Sequence, residues 1–102
     1  MRRTEASQYE AWRTRDGVTV LIVDSDLLSD TLTRVVVPLL SNYDGTRLRY
    51  LKPDMLVDRE LYVLDPTQIG AVLVTELTER LGTLAHERDR ITRAIDTLLS
   101  GV

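Results

Sequence analysis

Val18-Thr-Val-Leu-Ile-Val23 is the stretch on which the fold turns. Every residue in it except Leu21 is β-branched, and the run is too short for a helix of ordinary length, so it predicts a buried strand. Asp16-Gly17 stands just before it and is a turn signal between two apolar runs. That predicts a hairpin from Tyr9–Thr14 into Val18–Val23. Asp24-Ser-Asp26 breaks the strand at its far end. A second β-branched run follows at Arg34-Val-Val-Val-Pro-Leu39, where Pro38 is expected to mark an edge or a bulge.

Beyond these two strands the punctuation is regular. Ser41-Asn-Tyr-Asp-Gly45 is loop chemistry. Arg47–Lys52 alternates, with Leu48, Tyr50 and Lys52 on one face and Arg49 and Leu51 on the other. Met55–Val57 and Leu61–Leu64 flank Asp58-Arg-Glu60, a second hairpin candidate. Asp65-Pro66 turns the chain, and Ile69–Val74 reads as the last strand. From Leu77 the spacing becomes helical through Leu81, Leu84, Ile91, Ile95 and Leu98. Gly82 interrupts it, so the helix is expected over Leu84–Leu99, with Gly101 as the glycine that ends it. The class is α+β, mainly antiparallel β: a sheet or partial barrel with one C-terminal helix packed at its end.

The 102 residues make one domain, 1–102, with Met1–Ser7 polar and expected to be loose. With no phenylalanine and one tryptophan, the core must be aliphatic. A net charge of −3 weighs against a phosphate-binding surface, despite local basic pairs such as Arg2-Arg3 and Arg47 with Arg49. The absence of cysteine excludes disulfides, thiolate nucleophiles and cysteine-ligated zinc. No signal peptide and no membrane-spanning run is read, so a cytoplasmic location is expected.

Sites with chemistry are few. Asp24-Ser-Asp26 resembles the aspartate pair of haloacid dehalogenase-type phosphotransferases, but that chemistry needs a parallel α/β sheet with more helices than this chain can supply. Loop aspartates bonding backbone N–H groups are the expected reading. Adding Asp30 makes a carboxylate trio without the glycine or glutamate of a calcium loop. His86 is the only histidine and is expected to be solvated. Ser100 sits in no activated-nucleophile motif, and Glu87-Arg-Asp-Arg90 reads as a solvated helix face. Tyr9 and Trp12 are expected as partial core. With no catalytic constellation, metal or cofactor evident, the residues point to a binding protein without enzymatic activity.

Two blocks carry a family likeness. Ser25-Asp-Leu-Leu28 followed by Arg34-Val-Val-Val-Pro-Leu39 resembles the loop and strand of CcdB toxins. His86, Asp89, Ile91 and Ala94-Ile-Asp96, ending in Gly101-Val102, are similar to the C-terminal helix and Gly-Ile terminus of that family. The likeness runs from about Val18 to Val102. It implies an SH3-like barrel with a C-terminal helix, assembled as a homodimer. It further implies a toxin that binds the DNA gyrase A subunit, traps the cleaved-DNA complex, and is neutralised by the disordered tail of a CcdA-like antitoxin. No direct nucleic-acid or membrane binding is implied.

Carried over by position, the target contacts are Leu27, Leu28, Asp96, Ser100, Gly101 and Val102. Ser100 stands where the best-known members have tryptophan, and Asp96 where an asparagine is expected. The antitoxin groove is expected at the second hairpin, with Val57, Arg59 and Tyr62. Two other functions compete. One is an antitoxin-binding regulatory protein with an altered target. The other is a MazF-like endoribonuclease, disfavoured by the charge and the sparse histidine.

Overall fold

A computed structural model describes residues 6–28, 30–41 and 50–101. Seven strands form a curled antiparallel sheet closed by one helix: β1 Glu10–Thr14, β2 Thr19–Ile22, β3 Thr33–Leu40, β4 Asp54–Val57, β5 Glu60–Leu64, β6 Gly70–Leu73, β7 Leu77–Thr83 and α1 Arg88–Ser100. The strand order is β4-β5-β3-β2-β1-β7, and β6 pairs with β3 off this path. This is the expected half-barrel with a C-terminal helix.

The run at Val18–Val23 explains itself in the packing. All four residues of β2 are buried. Leu21 faces a main core with Val37, Leu39, Met55, Leu64, Leu84, Ile91 and Ala94. Val20 and Ile22 face a second core with Ala6, Val36 and Leu77. A strand covered on both faces has no polar alternation to display. The cover on the second face corrects one expectation: Ala6 is buried, so the N-terminal segment is packed at least from that residue. Met1 to Glu5 lie outside the described residues.

Pro38 is not at a sheet edge. Val23 N–H donates to Val35 O at 2.9 Å, so bonded pairs alternate down the ladder and Val20 opposite Pro38 is a non-bonded pair. The missing proline N–H therefore falls on the other side of β3. There β6 has ended at Val36 and β5 begins only at Leu39. The proline sits at the one place where a long central strand changes partner and can lack a donor.

The stretch after Leu77 also departs from expectation. Leu77–Thr83 is strand β7, paired with β1. Two bulges interrupt that pairing, between Ala11 and Trp12 and between Arg13 and Thr14. Each inserts a residue, so the two-residue alternation is lost and Leu77 and Leu81, four apart, pack against different cores. Leu84 is buried but not helical; its N–H donates to Tyr9 O at 2.7 Å and prolongs the sheet. One turn of 3-10 helix, Ala85–Glu87, then leads into α1. Of the alternating stretch Arg47–Lys52, residues 47–49 lie outside the described set, and Tyr50–Lys52 forms a turn and bend.

Candidate functional site

The loop after β2 is built from short polar contacts. Ser25 Oγ accepts from Leu27 N–H at 3.1 Å, and Asp26 Oδ1 accepts from Gln8 N–H at 2.8 Å. Gln8 Nε2 donates in turn to Val23 O at 3.0 Å. These bonds hold one 3-10 turn, Asp26–Leu28, and leave Leu27 94% exposed. The side chain of Leu28 and all of Val102 lie outside the described residues.

At the other end of the chain, Asp96 and Ser100 are exposed on the last turns of α1. Ser100 Oγ donates to Asp96 O at 2.6 Å. Gly101 takes φ +75°, and its N–H donates to Thr97 O at 2.9 Å. Leu99 beside them is 77% exposed. Sequence reasoning passed over Leu99, yet the signal was there: the core stripe ends at Leu98, so the next leucine must leave the buried face. The structure thus presents Leu27 on one loop and Asp96, Leu99, Ser100 and Gly101 on the helix end, as two separate elements of one chain.

The second hairpin requires a correction. Val57 and Tyr62 are each only 4% exposed and belong to the main core. They cannot offer side chains to a partner, because alternation turns their neighbours outward instead. Leu56 and Leu61 lie directly opposite each other in register and are 60% and 59% exposed. Arg59 is exposed in the turn, where Asp58 and Arg59 take φ of 50° and 68°. Two consecutive left-handed residues make the tight turn that matches strand twist.

A cleft of about 340 Å³ lies between the start of α1 and the chain leading to β4, lined by Tyr50, Pro53, Asp89, Arg90 and Arg93. The Arg93 guanidinium carbon is 5.1 Å from the centre of the Tyr50 ring, a cation–π distance. Arg90 Nη1 meets Glu87 Oε1 at 3.1 Å. The charge run Glu87–Arg90, read from sequence as merely solvated, supplies two walls of this cleft.

Two acids serve the scaffold. Burial pushes the Glu10 carboxyl up, but donation from Ser7 N–H, Trp12 Nε1 and Arg80 Nε outweighs it and holds the group below its ordinary value. Asp65, also buried, is held low by Thr67, Gln68 and Lys52. Buried Arg34 gives its guanidinium to the carbonyls of Ala6, Thr31 and Thr33. His86 is exposed on the 3-10 turn before α1. Among the described residues no three His, Cys, Asp or Glu side chains gather as metal ligands, and no helix is long and apolar enough to cross a membrane.

A sequence model described as CcdB protein matches residues 8–101. Comparison with curated proteins gives no match. Solved structures share the fold. An endoribonuclease from a mycobacterial species superposes with TM-score 0.78 at 17% identity, covering 97% of this chain and 95% of that one. The Mycobacterium tuberculosis toxin MazF-mt6 gives TM-score 0.73 at 15% identity, with coverages of 90% and 96%. An endoribonuclease in complex with its cognate antitoxin, also from a mycobacterial species, gives 0.76 at 20% identity, with coverages of 91% and 93%. The expectation of a protein without enzymatic activity is overturned by these neighbours. Two of them are endoribonucleases, so the fold itself is one that enzymes share.

Proposed function

The chain belongs to the CcdB family, and from that premise we propose that it is the toxin of a toxin–antitoxin pair whose target is the A subunit of DNA gyrase. The observation that carries the reading is the pairing of that match with two bare apolar points. Leu27 and Leu99 are 94% and 77% exposed, each on an element where the family likeness puts target contacts. Leu27, Leu28, Asp96, Ser100, Gly101 and Val102 form the proposed target surface.

The two elements are separate within one chain, so the reading includes a homodimer whose twofold axis gathers both copies of each. Sedimentation equilibrium at micromolar concentration should give twice 11.6 kDa; a clean monomer would remove the assembled site. A CcdA-like antitoxin with a disordered tail is the neutralising partner, and the antitoxin complex among the structural neighbours supports such a partner. On the second hairpin the available contacts are Leu56, Leu61 and Arg59. This reading places the toxin in the cytoplasm, where gyrase works.

A second reading has its own observation. Two of the solved structures that share the fold are endoribonucleases, which favours cleavage of RNA. Expression in bacteria tests the toxin reading common to both. Growth should stop with this chain alone and recover when its antitoxin is co-expressed. Unimpaired growth at confirmed expression would overturn it.

A further inference from the structure

The cleft between Tyr50 and α1 combines three chemistries that the proposed target and antitoxin surfaces leave unused. The first is a flat π surface: Tyr50 is 60% exposed, with the Arg93 guanidinium carbon 5.1 Å from its ring centre. The second is a cation free to turn toward an anion. The Arg90 side chain is 49% exposed, and its ion pair with Glu87 at 3.1 Å is a surface pair of small strength. The third is an acceptor, the exposed carboxylate of Asp89 in the same lining. Buried Pro53 supplies an apolar wall. At about 340 Å³ the cleft is of small-ligand size.

We infer that this cleft binds a guanine nucleotide. A base stacks on Tyr50 and the Arg93 guanidinium, as aromatic and arginine side chains hold single-stranded nucleic acid. The phosphate meets Arg90 in a charge-assisted bond. Asp89 selects the base, because a carboxylate accepts from N–H donors and is repelled by carbonyl oxygens. Guanine carries two donors side by side, the ring N1–H and the exocyclic amine, and so engages both carboxylate oxygens. Uracil and adenine do not offer that pair. An acidic peptide fits less well: its carboxylates give Asp89 no donor pair, and its aliphatic side chains leave the guanidinium–ring stack unused. The net charge of −3 disfavours an extended nucleic-acid footprint but does not bear on one nucleotide that meets Arg90 and Arg93 in a cleft they share with Asp89 and Glu87.

The ligand chemistry can come from free mononucleotide or from single-stranded RNA, and the test separates them. Amide resonances of the full chain are followed by NMR during titration with GMP, AMP, CMP, UMP and inorganic phosphate, then with guanine-containing and guanine-free RNA hexamers. Saturable shifts confined to Tyr50, Asp89, Arg90 and Arg93 are expected with GMP, at least fivefold tighter than with UMP. Tighter binding of the guanine hexamer than of GMP assigns the source to RNA; the reverse assigns it to the free nucleotide. Asp89→Asn should erase the preference for GMP while keeping phosphate contact, and Tyr50→Leu should weaken all four nucleotides at least fivefold. Unchanged shifts elsewhere in the spectrum report that each variant is folded. Equal shifts with inorganic phosphate and GMP, or none with any nucleotide, overturn the inference. So does displacement of nothing by GMP at a cleft that an acidic antitoxin peptide fills. The growth test of the toxin reading is independent of these outcomes.

Discussion

Gly101 shows how a single residue carries both fold and proposed contact. Its φ of +75° lies in the left-handed region, and its N–H closes the last turn of α1 on Thr97 O. A side chain there is strained even though no atom lies within 4 Å of where its Cβ would be. Gly101→Ala should therefore cost about 1 kcal/mol in chemical denaturation. A cost near zero would show the end of the helix rearranging freely. Ser100 is a different case: its Oγ bonds only back to Asp96 O, and its side chain is exposed. Ser100→Trp should leave stability within about 0.5 kcal/mol. On the proposed reading it should also strengthen gyrase A binding by roughly 30-fold, the worth of a modest aromatic hot spot. Calorimetric titration against a gyrase A fragment reads this directly, and unchanged affinity would place the contact elsewhere. These residues were legible as candidates because the likeness named them. That Gly101 caps the helix was legible from its position alone.

Among the elements, the second hairpin separates what sequence can and cannot tell. Its existence follows from Asp58-Arg-Glu60 between apolar runs, but which residues face out depends on register. Val57 with Tyr62, and Leu56 with Leu61, are equally apolar choices. Only the sheet's curvature around the main core decides that the first pair is buried. The same holds for β7, where two bulges erase the alternation a reader looks for. The strong β-branched runs were legible because burial on both faces leaves a continuous apolar signature; the bulged edge strand was not. Arg59 takes φ +68° without being glycine, so Arg59→Gly should raise stability by about 1 kcal/mol in thermal or urea unfolding. If Arg59 also contacts the antitoxin, the same variant should bind it more weakly while being more stable. That combination cannot come from misfolding. Destabilisation by Arg59→Gly would contradict the turn geometry.

For the molecule as a whole, Glu10 and Asp65 are expected to set the acid limit of stability. Both carboxyls are held below their ordinary values when folded. A depressed folded pKa contributes stability that is fully present above the unfolded value, about 4. It is lost as pH falls through the folded value. Unfolding followed by circular dichroism should hence show stability level from pH 7 to about 5 and falling below about 4. Glu10→Gln and Asp65→Asn should each lower the plateau and flatten the acid slope; an unaltered slope in both would shift the cause to other acids. Glu10 is itself linked to the Leu27 loop, because Ser7 N–H bonds Glu10 while the neighbouring Gln8 N–H bonds Asp26; the end of α1 carries the other exposed element. What those exposed elements engage decides what the protein does. The most direct measurement adds the purified protein to DNA gyrase and supercoiled plasmid, with and without Gly101→Glu, and in parallel to purified messenger RNA. The wild-type protein should trap gyrase on cleaved DNA, seen as linear plasmid after denaturation, and Gly101→Glu should do so far less. Intact plasmid beside RNA cut at defined positions would contradict it and establish the ribonuclease reading in its place.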